Sequence, residues 1–305
     1  MATYKYLDDS FVNAYQSKFN LLIVTATEIE KTVLHEHIKP LPGFTDILQI
    51  QTHKYTYYVG VFGVFFTVHV SCNEMGSIGK NASIITTLDA ITTWSPKIVL
   101  MVGIAFGANK SKQKIGDILV AERIQPYDPQ RIGKNDILFR GKEGATSSLL
   151  LDRFKSVSGW SYEQKGRIPK IIPGLILSGE KLIDDTLFKN QLMKEYPEAK
   201  GGEMEGAGIY TACDQRKVDW ILVKGICDFA DGNKGKNKHK NQKMAIDSAV
   251  TLCELVFSKP SGFKDLGLVV QEDILETDFS EEKGTLPQWI LKKDKSLAKE
   301  IRNED

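Results

Sequence analysis

The sequence predicts an α/β domain whose sheet is covered by helices on both faces. Two observations lead there: short runs that are apolar throughout, LLIVTA (21–26), KIVLMVGIAFG (97–107) and WILVKGICD (220–228), recur along the chain, and stretches with helical apolar spacing alternate with them. Strands apolar on both sides belong to a sheet buried on both faces. A length of 305 residues with 42% hydrophobic residues supplies the core of one large domain or two small ones.

Taken in order, LLIVTA is a strand that leads into the helix-forming TEIEKTVLHEHI. YTYYVGVF and FFTVHVSC (55–72) flank Gly63 and read as a hairpin. GSIGKNASIITTLDAITTW (76–94) is a glycine-bearing turn followed by a helix, and KIVLMVGIAFG is the next buried strand. GDILVAERI, GLILS (174–178), a helix from about Lys181 to Tyr196, EMEGAGIYTACDQR as a helix start, WILVKGICD and a last helix NQKMAIDSAVTLCELVF complete the domain, which closes near Ser258. Residues 1–19 precede it as an N-terminal extension. Residues 259–305 follow as a C-terminal appendage, acidic in the middle, with LPQWILKKDKSLAKEI (286–301) a candidate amphipathic helix and a site for a protein partner.

Composition excludes several classes. With 40 basic and 39 acidic residues the net charge is +1, which argues against a nucleic-acid-binding surface and makes any positive cluster a local feature. Cys72, Cys213, Cys227 and Cys253 are widely spaced without a CxxC pair and read as reduced, buried thiols. MATYKYLDDSFVNAYQSKFN lacks the apolar core of a signal peptide, and no run is long enough to span a membrane, so a cytoplasmic protein is expected. His35 and His37 lie two apart on a helix and cannot share a face, which argues against a metal site there.

Chemistry gathers at strand ends. Ligands of open α/β sheets bind at the carboxyl ends of strands, so TATEIEK, VGIAFG and ICDFADG are candidates for one shared site. Glu28 and Glu30 fall in the first turn of a helix, where acids also serve the helix dipole. Glu203 and Glu205, two apart, would lie on different faces of a helix, so at most one points into a given pocket. Asp228 follows a buried run, where a carboxylate must be paired, protonated or at the strand's mouth; an apolar setting would favour its neutral, proton-donating form.

The order TATEIEK, GSIGKNAS, VGIAFG, GDILVAE, SGEKLI, EMEGAGIY and ICDFADG, spanning residues 20–257, resembles the purine nucleoside phosphorylase and nucleosidase superfamily, nearest its methylthioadenosine/S-adenosylhomocysteine nucleosidase branch. The resemblance implies a central mixed, twisted sheet, a homo-oligomer and no cofactor or metal. It also implies catalysis by Glu30, which activates the attacking water, and Asp228, which protonates N7 of the purine. Glu205 would bind the ribose hydroxyls with Met204 against the sugar and Glu203 beside them, while Leu182 and Ile183 would hold the base. An aromatic is common where Leu182 stands, so Phe229 or Phe106 would supply the stacking; Ile104 and Ala105 complete the substrate-binding set. Ile104 stands where relatives often carry a small hydroxyl residue and TATEIEK offers no arginine, which favours water over phosphate as nucleophile. Such chemistry needs a base for the water and an acid for the leaving group, each proton transfer being worth roughly 10²- to 10⁴-fold.

Lys234, Lys236, Lys238 and Lys240 follow Asp228 closely in a glycine-bearing stretch. A charge run is most often a solvated loop, but this one leaves the strand that carries the acid and leads into a helix N-terminus. With Arg131 as a weaker candidate, it would hold the 5'-phosphates of an adenine nucleotide such as ATP, as in nucleosidase-type domains of antiphage and immune effectors. The alternatives are a methylthioadenosine/S-adenosylhomocysteine nucleosidase, a purine nucleoside phosphorylase, and a non-catalytic nucleotide sensor.

Overall fold

The computed structural model describes residues 2–134, 137–233, 235, 237–268 and 270, the side chains at 137 and 139 excepted. From the N-terminus run β1 (Tyr4–Leu7), α1 (Ser10–Tyr15), β2 (Leu21–Thr25), α2 (Glu28–His37), β3 (Ile47–Gln51), β4 (Thr56–Phe62), β5 (Phe65–Ser71) and α3 (Ser83–Trp94). Then come β6 (Ile98–Gly107), β7 (Ile118–Pro126), the short β8 (Gln130–Ile132), β9 (Ile137–Phe139) and β10 (Gly144–Ala145), and α4 (Ser148–Lys155). The chain continues with β11 (Ile171–Ser178), α5 (Thr186–Glu195), β12 (Ala199–Glu203), α6 (Gly206–Arg216), β13 (Asp219–Asp228) and α7 (Lys238–Phe257).

Alternation along β2 shows why the runs are apolar throughout. Leu22 and Val24 enter a core shared with Ala90 and Ile91 of α3 and Ile209 and Cys213 of α6. Leu21 and Ile23 enter the opposite core with Val33 and Leu34 of α2 and Ile246 and Ala249 of α7. Successive strand residues face opposite ways, so both sets must be apolar, and each fully buried side chain contributes about 1.5–3 kcal/mol. The expected hairpin is present: β4 and β5 pair antiparallel around Gly63 at φ +60°.

The mixed sheet runs β1-β3-β4-β5-β2-β6-β12-β11-β7-β10, with β13 pairing both β6 and β7. Five strands, β6, β13, β7, β11 and β12, therefore close into a ring at one end of the sheet. β6 is parallel to β2 and β13, so the carboxyl ends of all three point the same way. β12 meets β6 antiparallel with Gly202 opposite Phe106, which brings the carboxyl end of β12 to that same edge.

Several local expectations change. The helix expected from Lys181 begins at Thr186, because the Asp185 side chain accepts from Phe188 N and caps it there; Lys181–Asp184 stay in the loop. The sequence assigns no element to residues 199–202 and starts a helix at Glu203, since AKGGE has no apolar alternation; the segment is β12, whose glycines let Phe106 lie against it, and a Cβ at Gly202 would stand 2.5 Å from the ring's Cζ. α7 begins at Lys238, so Lys238 and Lys240 belong to a helix rather than a loop. Before the expected catalytic core, β1 pairs parallel with β3 and α1 buries Phe11, Val12 and Tyr15. After it, Phe263 stacks on Phe257 at 4.7 Å between ring centroids. The candidate helix at 286–301 lies outside the described residues.

Candidate active site

At this edge lies a cleft lined by Glu30, by Ile104, Ala105 and Phe106 from β6, by Glu203, Met204 and Glu205, and by Cys227 and Asp228 from β13. Leu182 and Ile183 close one side, and Lys238 and Gln242 reach it from α7. The three strand ends singled out in the sequence thus share one cavity. Ala26, Thr27, Met75, Lys181 and Gly202, which the sequence did not single out, also line it.

Glu30 is positioned by its own backbone turn. Thr27 caps α2, its hydroxyl accepting from Glu30 N at 3.5 Å, while Glu30 Oε2 accepts from Thr27 N and Ala26 N at 2.8 Å each. This is a capping box, legible as T-x-x-E in the sequence. Glu30 Oε1 accepts from Ile104 N at 2.9 Å, tying the helix to β6. A carboxylate offers about four lone-pair sites, and these contacts fill three, leaving one on Oε1. A Cβ at Gly103 would lie 2.4 Å from that oxygen, so the position requires glycine.

Lys224 is the residue that sequence reasoning passed over. It is fully buried in the middle of β13, 3.4 Å from Glu203 and 3.2 Å from Glu205. Burial works against its charge, but Glu205, Glu203 and Glu30 outweigh it and hold the ammonium's pKa above its ordinary value. The expectation that only one of Glu203 and Glu205 faces a pocket does not hold. Glu203 ends a strand and Glu205 precedes α6, so neither is on the helix whose geometry would separate them. Glu203 also caps α6, accepting from Glu205 N at 3.0 Å and from Gly206 N at 2.9 Å through one oxygen. Glu205 Oε1 accepts from Gly76 N at 3.3 Å.

One ammonium therefore sits among three carboxylates. Burial raises Glu30, Lys224 pulls it back, and Glu205 pushes it up again, with a net shift upward; Glu203 is raised by burial in the same way.

Asp228 is half-buried at the end of β13, where Oδ1 accepts from Ala230 N at 2.9 Å and Oδ2 accepts from the Cys227 thiol at 3.2 Å. Phe229 does not line the cleft: it follows the end of β13, and its ring packs against Gly107 in the core. Its carbonyl accepts from the buried Lys189 ammonium at 2.7 Å, which anchors the segment after Asp228 to α5. Phe106 does line the cleft and leaves one of the two aromatic candidates in place.

At the mouth, Glu180 takes Ser77 N through both oxygens, at 2.9 and 3.1 Å, and fastens the loop that carries Met75 to the loop that carries Leu182. Met75 and Leu182 are 54% and 58% exposed, so the mouth is apolar. Of the basic candidates, Lys238 reaches the cleft, whereas Lys240 is exposed on α7 and Arg131 is exposed on β8, both outside the lining. Lys234 and Lys236 lie outside the described residues. His35 bonds His69 at 2.9 Å and His37 bonds Glu254 at 2.7 Å. Among the described residues no group of three or more His, Cys, Asp or Glu is arranged to hold a metal, and no helix is long and apolar enough to cross a membrane. All four cysteines are buried thiols outside any disulfide.

A family model described as the phosphorylase superfamily matches residues 20–258. A death domain-containing ATP nucleosidase of Amphimedon queenslandica is 29% identical over 232 residues, covering 70% of this chain; the chain spans 44% of that protein's length. The 5'-methylthioadenosine/S-adenosylhomocysteine nucleosidase of Staphylococcus epidermidis is 30% identical over 242 residues, covering 77% of this chain and 98% of its own length. Among solved structures, a nucleosidase of the latter kind from Colwellia psychrerythraea, in complex with adenine, superposes with a TM-score of 0.67 at 20% identity, over 79% of this chain and 95% of that one. That last likeness establishes the fold.

Proposed function

Since the chain belongs to the phosphorylase superfamily, we propose that it is a nucleosidase whose cleft hydrolyses the N-glycosidic bond of a purine nucleotide and releases adenine. The observation that carries this reading is the Glu30 carboxylate, held by three backbone N–H groups with an acceptor position remaining on Oε1. A water hydrogen-bonded there loses its proton to Glu30 as its oxygen bonds C1' of the ribose. The C1'–N9 bond breaks with its electron pair going to the base, and Asp228 delivers a proton to N7. The sugar passes through oxocarbenium character, and the cluster of Glu30, Glu203 and Glu205 around the single Lys224 ammonium favours that positive charge. Glu205 takes the ribose hydroxyls, and Phe106, Leu182 and Ile183 hold the base.

Water is favoured over phosphate because the buried Lys224 is already matched by carboxylates, and among the described residues the cations lining the cleft are Lys181 and Lys238. Lys181 is itself paired with Asp128. Lys238, with Gln242 beside it, is the feature that favours a 5'-phosphorylated substrate such as ATP. An enzyme that strips adenine from ATP drains the nucleotide pool, so the proposal extends to a defence effector acting by nucleotide depletion. The second reading is a methylthioadenosine/S-adenosylhomocysteine nucleosidase. It is supported by the apolar Met75 and Leu182 at the mouth, which suit an alkylthio group, and by the full-length match to the staphylococcal enzyme.

Lys238→Ala separates the two. A charge-assisted contact is worth about 1.5–3 kcal/mol, so kcat/KM for ATP should fall roughly 10- to 100-fold while that for adenosine is unchanged. Equal effects on both substrates would remove the support for a phosphorylated substrate.

A further inference from the structure

We propose a second ligand site, for a phosphate-bearing small molecule, in the cleft between Lys112, Lys170 and Lys200. No acidic side chain lines this cleft, and none of the three lysines is in an ion pair among the described residues. Of the acids close in sequence, Glu195 does not line the cleft and two others are engaged elsewhere. Glu198 pairs with Arg123 at 2.8 Å, and buried Asp117 holds Arg167 at 2.6 Å together with the backbone N–H groups of Lys114 and Lys170.

In a chain of net charge +1, three lysines outside any ion pair among the described residues line one concavity. Like charges held together raise the local potential, and an anion relieves it. The frame beneath them is fixed. Lys200 O accepts from Ala108 N at 3.1 Å and from the buried Gln113 amide at 2.8 Å, while Gln113 Oε1 accepts from Asn109 N at 2.7 Å. The stem of Lys200 lies on Gly174, where a Cβ would stand 2.6 Å from Lys200 Cγ. Ile172, Met193 and Pro197 give the cleft an apolar wall, suited to the organic part of such a ligand.

The site is separate from the catalytic cleft, since the two share no lining residue. It is nevertheless adjacent along the chain. Ala108 and Lys200 lie two residues from Phe106 and Gly202 of the catalytic cleft.

The test is calorimetric titration of the full chain with inorganic tripolyphosphate, comparing the wild type, Lys238→Ala, and the triple variant Lys112→Gln, Lys170→Gln, Lys200→Gln. Wild type and Lys238→Ala should bind, and the triple variant should bind at least tenfold more weakly while cleaving adenosine at the wild-type rate. AMP in place of tripolyphosphate distinguishes a nucleotide from a free phosphate chain. Wild-type affinity in the triple variant, loss of binding in Lys238→Ala alone, or no binding by the wild type would each overturn the proposal. Because adenosine cleavage is measured separately, failure of this site leaves the reading of the catalytic cleft standing.

Discussion

Replacing Lys224 with methionine is expected to cost about 3–5 kcal/mol of stability, because removing one partner of a buried ion cluster leaves the others uncompensated. The lysine is fully buried and faces Glu203 and Glu205 directly, with Glu30 close enough to interact. The loss has a definite pH dependence. Glu30 and Glu203 have pKa values raised by burial, so each favours folding while protonated and loses that contribution as pH rises through its folded-state value. Lys224 opposes the rise at both, so without it the penalty for ionising them grows. Denaturant titrations of wild type and variant should therefore differ more at about pH 8 than at about pH 5. Lys224→Arg, which keeps the charge, should lose far less. A Lys224→Met protein with the same deficit at both pH values would argue against the carboxylate cluster as the cause.

Glu30→Gln should lower kcat about 10²- to 10⁴-fold, the contribution of one positioned proton transfer. The wild-type profile should lose activity on the acid side as Glu30 takes up a proton, and burial places that limb above the ordinary glutamate range. The variant's residual activity should lack this limb. A glutamine amide also turns a donor toward a backbone N–H that the carboxylate accepted, so a stability loss of about 1–3 kcal/mol accompanies the change. Lost stability with activity within tenfold of wild type would assign Glu30 to the capping box alone.

The strand ends were legible because a strand buried on both faces must be apolar until it reaches the edge, and the polar residue that follows it stands out. That logic brings Glu30, Ile104 and Asp228 together from three separate segments. It fails where the pattern is set by a partner distant in sequence. β12 carries no alternation because its burial depends on glycines that admit Phe106. Starting a helix at Glu203 separates it from Glu205, whereas the two converge on Lys224. A lysine inside WILVKGICD was itself a visible signal, since a charge in an apolar strand demands partners. Phe229, offered with Phe106 as the stacking aromatic that Leu182 does not supply, instead packs its ring into the core, which depends on contacts distant in sequence.

The most direct test of the central claim is base release from ATP, adenosine and methylthioadenosine by the full chain in phosphate-free buffer, with products separated by chromatography. The account predicts free adenine and a ribose or ribose-phosphate product bearing a hydroxyl at C1', formed at a rate that added inorganic phosphate does not change and that Glu30→Gln and Asp228→Asn each lower about 10²- to 10⁴-fold. Adenine that appears only when phosphate is supplied, together with a sugar 1-phosphate, would contradict it.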